Sequence, residues 1–255
     1  MGEMDETTHL ELCGVDFRYG GGPALLSGLD WRIGRGETWA LLGPSGCGKT
    51  TLLYLLAGMR IPQRGNAQYA GEALRRPRPE IGLVLQDFGL LPWLTAAANV
   101  ELGMRLRGLP PAEREARRDG WLERLGLRAV ARQYPVQLSG GQRQRVALAR
   151  LLALQTEALL LDEPFAAVDE LTRERLQETL GLLVAELGAT QVLVTHSVEE
   201  AALLAQHIAL ILEAAPIGEI TVLQNPCWQG KGSLPARDDP DYFAFCREIR
   251  SLLKR

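Results

Sequence analysis

The sequence of 255 residues is poor in cysteine and has no excess of basic charge. Its four cysteines form no Cys-x-x-Cys pair, which disfavours a disulfide framework or a zinc site and favours free thiols in a reducing compartment. The formal net charge is -3, so the chain has no general basic field that attracts nucleic acid. We therefore expect no nucleic-acid partner.

Long apolar runs are also missing. No uninterrupted run reaches the roughly 18 residues that a membrane-spanning helix requires. The best candidate, AALLAQHIALILEAA, is interrupted by Gln206, His207 and Glu213. The stretch MGEMDETTHLEL at the start is acidic and lacks the basic start and apolar centre of a signal peptide. We expect a globular chain with no membrane span of its own.

Short apolar runs are abundant, since 46% of the residues are hydrophobic. Four of these runs stop abruptly: WALL before Gly43, GLVL before Gln86, ALLL before Asp162 and VLVT before His196. Continuous runs of this length suit strands buried on both faces of a mostly parallel sheet. Ligands bind such sheets at the carboxyl ends of the strands, so we predict that these four residues share one rim.

Helical patterns separate the apolar runs. The region of about residues 87–157 is rich in Leu, Arg and Ala and predicts a helical insertion, in which LPPAEREARRDGWLERLGL places Trp121, Leu122 and Leu125 on one face. The charge run at 113–118 is typical of a solvated helix face, with a partner-binding face as the alternative. Later, RERLQETLGLLVAELG predicts a helix that ends at Gly188. We expect loop from about residue 214 up to DYFAFCREIRSLLKR, which predicts a short amphipathic helix.

The stretch LLGPSGCGKTTLL matches G-x-x-x-x-G-K-[ST] at Gly43, Gly48, Lys49 and Thr50. In this pattern the glycines let backbone N–H groups cradle phosphate oxygens, and the lysine reaches the terminal phosphates. The Thr50 hydroxyl is placed to bind Mg²⁺. An ordinary glycine-rich turn is the alternative, but such a turn does not require lysine next to threonine. Cys47 inside the loop is interpreted as a small filler.

The apolar run before Asp162 ends on two adjacent acids. A buried carboxylate needs a cation or donors, and Mg²⁺ between Asp162 and the phosphates provides a cation. Glu163 is then placed to polarise a water for attack on the γ-phosphate. The alternative is that the two acids only cap and begin a helix. That alternative accounts for one acid better than for two adjacent acids. His196 and Gln86 suit contacts to phosphate, metal and water, although each alone is more typical of a structural role.

A second phosphate-binding pattern lies about ninety residues after the first. In LSGGQRQRVALAR, Ser139, Gly140 and Gly141 precede a strong helical pattern without any lysine. The start of such a helix favours anions. The chain therefore carries two separate devices for binding phosphate.

In the identity and order of these motifs the sequence resembles the ATPase subunits of ABC transporters. The resemblance covers about residues 10–215, and Tyr19 in FRYG matches the aromatic residue that stacks on adenine. It matches residues 43–50 to the Walker A motif, Gln86 to the Q-loop, 138–142 to the ABC signature, 159–163 to Walker B, 166–169 to the D-loop and His196 to the switch histidine.

The resemblance implies an α/β fold: a P-loop NTPase (RecA-like) core with a mostly parallel sheet, an antiparallel β part near the N-terminus and an inserted α-helical subdomain. The core would comprise 1–86 and 158–215, the subdomain 87–157 and a C-terminal extension 216–255. The implied cofactors are ATP and Mg²⁺, with Glu163, His196 and Gln86 catalytic, and with Thr50, Gln86 and Asp162 at the metal. The implied ATP contacts are Tyr19, Gly43, Pro44, Ser45, Gly46, Cys47, Gly48, Lys49, Thr50, Thr51, Ser139, Gly140, Gly141, Gln142 and Asp169.

The resemblance also implies partners and a location. Two such subunits close head to tail, here as a homodimer. They bind integral membrane permease subunits at the cytoplasmic face of the cell membrane, and a solute-binding protein on the other side delivers the solute to the permease. LLPWLTAAANV is most similar to importers of nitrate, sulfonates and taurine, and residues 90–93 lie where the family receives a coupling helix; ordinary packing is the alternative. The sequence departs from the family pattern at three places. The D-loop reads AAVD where SALD is usual, Leu85 precedes Gln86 where Phe is common, and Ser197 stands where the family usually has an acid.

Three alternatives remain at this point. One is a soluble ABC ATPase that acts on nucleic acid or ribosomes, which the acidic charge balance and the single cassette disfavour. Another is an importer subunit for a different small solute. The third is a module that binds ATP without hydrolysing it, which the presence of both Glu163 and His196 disfavours.

Overall fold

The computed structural model describes residues 8–166, 168–213, 215–230 and 234–254. The acidic stretch 1–7 and Ala167 of the predicted D-loop lie outside the described residues. The strands in this part of the chain are β1 Thr8–Phe17, β2 Leu26–Gly34, β3 Thr38–Leu42, β4 Arg64–Tyr69, β5 Glu72–Ala73, β6 Ile81–Val84, β7 Ala158–Asp162, β8 Thr190–Val194, β9 His207–Leu210 and β10 Thr221–Gln224. The helices are α1 Lys49–Leu56, α2 Ala96–Leu106, α3 Pro111–Arg124, α4 Gly140–Ala153, α5 Glu170–Leu187, α6 Val198–Leu204 and α7 Pro240–Leu253.

A small antiparallel sheet is built from the N-terminal strands in the order β2-β1-β4-β5. Leu10, Leu12 and Val15 of β1 are buried, and their apolar face packs on the same core as α1. The antiparallel β part that was expected near the N-terminus is confirmed.

The larger sheet has the order β10-β9-β3-β8-β7-β6. The pairs β3–β8, β3–β9, β7–β8 and β6–β7 are parallel, and only β10 runs antiparallel to its neighbour. Every residue of β3, β7 and β8 is buried, as expected for strands covered on both faces. All four predicted apolar runs contribute to strands of this sheet, so the predicted α/β architecture is confirmed.

The helical insertion lies between β6 and β7 and contains α2, α3 and α4. Trp121 and Leu122 of α3 are buried, and so is Leu125 just after it, as the sequence predicts. The charge run differs in part from the prediction of a solvated face. Arg114 and Arg118 each lie 2.9 Å from a carboxylate oxygen of Glu101 on α2, so they join two helices of the insertion.

Helix α5 forms where the periodicity predicts it. The side chain of Asp169 caps its start by accepting a hydrogen bond from the Thr172 N–H at 3.0 Å, and Gly188 ends it in a left-handed conformation. Four of the five predicted apolar positions are buried and the fifth is half-buried. They are Leu176, Leu180, Leu183, Val184 and Leu187.

The C-terminal region is more ordered than the sequence predicts. The predicted terminal helix is confirmed as α7, which buries Tyr242, Phe245, Cys246 and Ile249. The prediction of loop before it is wrong at β10, which pairs with β9. This edge strand has only four residues and none of them is buried, so it carries no continuous apolar signal. No helix in the described ranges is long and apolar enough to cross a membrane.

A buried histidine joins the two sheets. The His9 Nδ1 atom on β1 lies 2.6 Å from the Thr190 hydroxyl at the start of β8, and its Nε2 atom lies 3.6 Å from a Glu157 carboxylate oxygen. Arg35 donates to the same oxygen at 2.7 Å. Burial lowers the pKa of His9, and the positive charge of Arg35 acts in the same direction. The folded state therefore prefers the neutral ring.

This preference predicts an acid-sensitive contribution to stability. Because the pKa of His9 is lower in the folded chain, the unfolded chain binds the proton first as the pH falls. The contribution is full above the unfolded pKa of about 6.5 and is lost towards the folded pKa. In thermal unfolding at about pH 7.5 and about pH 5.5, the melting temperature of the wild type should fall more than that of His9→Gln.

His207, whose pKa burial also lowers, is present in both proteins and so cancels in this comparison. An equal fall in the two melting temperatures would show that His9 does not contribute.

Candidate functional site

The loop after β3 turns sharply into α1. Gly48, immediately before the helix, has φ of 115°, a conformation that side chains rarely adopt. A Cβ atom at Gly43 would lie 2.9 Å from the Cβ atom of Ile211, so the loop also needs glycine there for close packing. The loop delivers the start of α1, with its unpaired N–H groups, to the rim of the sheet.

Lys49 is the first residue of α1, and its side chain is 5% exposed. Its ammonium group donates to the backbone carbonyls of Gly43 and Pro44, both at 2.8 Å. The positive charge is thus held inside the curve of the loop by neutral acceptors and not by a carboxylate. An arrangement of this kind leaves the full charge of Lys49 available to an anion in the loop.

A cleft of about 350 Å³ opens in front of the loop. Its lining brings together residues from the loop, from α1 and from the ends of β6, β7 and β8. Three of the four predicted rim residues, Gln86, Asp162 and His196, meet there, while Gly43 is not part of the lining. The lining residues are Ser45, Gly46, Gly48, Lys49, Thr50, Thr51, Gln86, Asp162, Glu163, Val194 and His196.

Thr50 and Asp162 form the floor of this cleft. The Thr50 hydroxyl donates to an Asp162 carboxylate oxygen at 2.7 Å, and Asp162 is 4% exposed. Burial raises the pKa of Asp162, while the hydrogen bond from Thr50 opposes that shift. A cation next to this pair of oxygen atoms would stabilise the carboxylate. Two protein oxygens suit Mg²⁺, which takes its remaining ligands from water and phosphate.

Glu163 takes a different direction from Asp162. Its backbone has φ of 48°, and its N–H group donates to the Val194 carbonyl at 2.9 Å. This turn brings its carboxylate within 2.6 Å of the His196 Nε2 atom, while the Gln86 amide donates to its other oxygen at 3.4 Å. The three residues that the sequence predicts as catalytic therefore meet around one carboxylate.

Tyr19 lies beside the loop with its ring half exposed. Its hydroxyl lies 3.0 Å from the Thr51 hydroxyl, and its ring packs edge-on against Phe17 with centroids 5.0 Å apart. The Arg60 guanidinium carbon lies 5.8 Å from the ring centroid. The ring is thus held by Thr51 and Phe17, with Arg60 over it, and about half of it is open to solvent.

Several predicted contacts do not line the cleft. Gly43 and Pro44 support the loop through their carbonyls, and Cys47 is 6% exposed and packs into the core beneath it. Asp169 caps α5, and the backbone N–H of Thr172 lowers the pKa of this aspartate. Within one chain, the described lining contains none of the signature residues 139–142.

The signature residues begin α4 with a complete capping box. The Ser139 hydroxyl accepts from the Gln142 N–H at 3.2 Å, and the Gln142 side chain accepts from the Ser139 N–H at 2.8 Å. Because these two residues satisfy each other, the helix start leaves the N–H groups of Gly140 and Gly141 for an outside acceptor. These two N–H groups do not reach the described cleft of the same chain.

One residue that the sequence reasoning missed is Asn99 on α2. It is completely buried, accepts from the Leu91 N–H at 2.8 Å, and donates to the carbonyls of Leu91, Leu94 and Thr95 at 3.0 to 3.1 Å. It thereby folds the segment after Gln86 onto the helical insertion. The only signal in the sequence is a polar residue within an apolar helix start.

The comparisons with known proteins decide the family. The profile described as ABC transporter matches residues 26–166, which is more than half of the chain. The chain belongs to the ABC transporter family. This ABC chain is 42% identical over 240 residues to the taurine import ATP-binding protein TauB of Chromobacterium violaceum, with 92% of each chain covered. It is 50% identical over 188 residues to TauB of Pseudomonas aeruginosa, covering 74% of this chain and 72% of that one.

A more distant relative and two solved structures agree. The nitrate import ATP-binding protein NrtC of Synechocystis is 40% identical over 90% of this ABC chain and 35% of its own length. The ATP-binding cassette MJ0796, solved as a dimer bound to ADP and Pi, has a TM-score of 0.76 at 30% identity, covering 86% of this chain and 100% of that one. The structure of cbiO1 from Clostridium perfringens, part of the ABC transporter complex cbiONQ, has a TM-score of 0.75 at 27% identity, covering 98% of this chain and 96% of that one.

These findings confirm the expected family and activity. The ABC chain is an ATP-binding, ATP-hydrolysing subunit of the transport ATPase type. The resemblance to importers of nitrate, sulfonates and taurine that the sequence shows is also confirmed among its relatives. The alternative of a module without hydrolysis loses its support.

The geometry around Glu163 predicts the effect of an isosteric change. Glu163→Gln keeps the size of the side chain but removes the base, so ATP binding should persist while hydrolysis falls by about 10² to 10⁴-fold. Steady-state phosphate release and equilibrium binding of ATP measure the two effects.

Gln224→Glu, at an exposed position on the edge strand β10, is a charge-changing control that should retain activity. Unchanged turnover in Glu163→Gln would remove this residue from the base role.

Proposed function

We propose that this ABC ATPase drives the import of a small oxyanion or sulfonate solute of the nitrate, sulfonate or taurine type. It works as a head-to-tail homodimer, bound peripherally at the cytoplasmic face of the cell membrane to integral permease subunits, to which an external solute-binding protein delivers the solute. One observation carries the ATPase part of this proposal: the cleft joins the Lys49 loop, Asp162 and the group of Glu163, Gln86 and His196.

The assignment of roles follows the contacts. ATP would place its phosphates in the loop against Lys49 and the start of α1, with adenine on Tyr19. Mg²⁺ would be held by the Thr50 hydroxyl, with Asp162 and Gln86 close by, and supplies charge neutralisation at the phosphates. Glu163 would orient the attacking water, while His196 holds Glu163 from the other side.

The dimer follows from the signature residues. Gly140 and Gly141 have N–H groups at a helix start and no place in the cleft of their own chain. A second copy in head-to-tail orientation would bring them to the phosphates, together with Ser139 and Gln142. Asp169, the last residue of the predicted D-loop, caps the start of α5 and would lie at the same contact. The MJ0796 cassette, solved as a dimer bound to ADP and Pi, supports the formation of a dimer.

The permease contact is supported by the segment after Gln86. Leu90 packs against the core, whereas Trp93 is 69% exposed. The two interpretations of LLPW thus apply to different residues: the leucine is a packing residue and the tryptophan is free for a partner. Asn99 fixes the loop that presents Trp93, and exposed aromatic side chains of this kind are enriched at interfaces.

The imported solute is proposed from the relatives. The TauB proteins are named for taurine import and NrtC for nitrate import, and both solutes are small and carry oxygen anions. An action on nucleic acid or ribosomes is disfavoured by the formal net charge of -3.

The dimer can be tested without any partner. Glu163→Gln with ATP should elute at the mass of a dimer in size-exclusion chromatography with light scattering. Adding Ser139→Arg should restore the monomer, because a large cation then occupies the start of α4, while binding of ATP to the monomer persists. Ser251→Arg, at an exposed serine on α7, should leave the dimer intact. A dimer that persists with Ser139→Arg would contradict the head-to-tail arrangement.

The solute can be tested by uptake. Deletion of the gene should abolish accumulation of one of three radiolabelled solutes: taurine, a linear alkanesulfonate or nitrate. The wild-type gene should restore uptake and the Glu163→Gln gene should not. Unchanged uptake of all three solutes would exclude the proposed class. Tagged Glu163→Gln protein, purified with ATP from detergent-solubilised membranes, should bring a multi-span membrane protein with it, and recovery of ribosomal proteins alone would exclude the permease.

A further inference from the structure

A buried carboxyl group lies behind the catalytic residues and takes no part in the roles assigned above. Glu200 on α6 is 8% exposed, and both of its oxygens are occupied. The Thr195 hydroxyl donates to Oε2, and the Gln177 amide on α5 donates to Oε1 at 3.1 Å. Burial raises the pKa of Glu200, and both donors act against that shift.

Thr195 is the residue before His196. Its hydroxyl donates to Glu200 and accepts from the Ser197 N–H at 3.0 Å, so one side chain spans the backbone on both sides of the histidine. The Ser197 hydroxyl in turn accepts from the Glu200 N–H at 3.1 Å and caps α6. The conformation that carries the His196 ring therefore depends on Glu200 as an acceptor.

Gln177 connects this arrangement to the C-terminal segment, which we define as residues 234–254. Its carbonyl oxygen accepts from the Arg237 guanidinium at 2.8 Å. A guanidinium can only donate, so Arg237 requires the oxygen of the Gln177 amide on its side. The NH₂ group must then face Glu200 and donate to it. Arg237, which only donates, and the Glu200 carboxylate, which only accepts, together fix the orientation of the Gln177 amide between them.

The same segment holds α6 at a second place. The Tyr242 hydroxyl donates to the Glu199 carbonyl at 2.9 Å, and Arg250 pairs with the Glu199 carboxylate. Tyr242 is buried, so this contact belongs to the packed part of α7. The C-terminal segment thus holds the start of α6, two residues after His196, through two side chains of α7.

We propose that Arg237 is a positioning residue for ATP hydrolysis, which acts on His196 through Gln177, Glu200 and Thr195. This inference rests on the proposed role of His196 at Glu163. Without a pure donor at position 237, the oxygen of the Gln177 amide loses its fixed partner, so the amide is held from the Glu200 side alone and its hydrogen bond to Glu200 weakens. The hydrogen bond from Thr195 to Glu200 then fixes the backbone around His196 less firmly, and the 2.6 Å contact between His196 and Glu163 loosens. ATP binding is unaffected, because the cleft in front of the lysine loop is lined by none of the four supporting residues, which are Arg237, Gln177, Glu200 and Thr195.

The experiment measures steady-state hydrolysis by the full chain for wild type, Arg237→Gln and Arg237→Lys. Glutamine can donate or accept and so does not fix the amide, and kcat should fall about tenfold with the KM for ATP unchanged, as small misplacements at an active site do. Lysine can only donate and should keep most of the activity. Arg247→Gln, at an exposed arginine on α7, should behave as wild type, and all variants should share one melting temperature.

A double-mutant comparison shows whether the effect passes through His196. In a His196→Ala background, Arg237→Gln should cause no further loss, because the group it positions is gone. The inference is overturned if Arg237→Gln keeps full kcat, if Arg237→Lys fails to rescue, or if the same loss recurs in the His196→Ala background. Full turnover by His196→Ala alone is a different result: it would refute the proposed role of His196 itself.

Discussion

The parallel ladder of β3, β8 and β7 is the constraint on which the whole site depends. Leu41 of β3 and Asp162 of β7 both pair with Val194 of β8, so the three strands end at one level. A slip by one residue would turn every side chain of a strand to the opposite face. Asp162 would then lose its 2.7 Å hydrogen bond with Thr50, and the lysine loop would no longer face an acid.

The end of β7 shows how one strand provides two carboxyl groups with different environments. Asp162 continues the strand and is buried against Thr50. Glu163 leaves the strand at φ of 48°, a conformation that costs about 1 to 3 kcal/mol for a residue other than glycine. Its hydrogen bond to Val194 and its contact with His196 offset this cost. The strained turn is what separates a buried acid from an acid that faces the cleft.

Much of this arrangement can be predicted from the sequence, and there are physical reasons why the rest cannot. Strand ends and the apolar face of α5 are visible because period and burial are local properties of the chain. The pairing of β10 with β9 leaves no such signal, since none of the four β10 residues is buried. Contacts such as His9 with Thr190, 181 positions apart, or Gln177 with Glu200 join side chains that only the folded backbone brings together. The motifs predict the cleft, while the supports behind it require coordinates.

The supports behind the cleft explain why the C-terminal region matters although it carries none of the motifs. Helix α6 has only seven residues, too few to be stable alone. Its far end is closed by Asn225, whose amide donates to the carbonyls of Ala202 and Ala205, both at 2.8 Å. Its near end is capped by Ser197, the residue after His196. Because both ends of α6 are set from outside the helix, the position of the histidine is a property of the assembled core and not of the strand that precedes it.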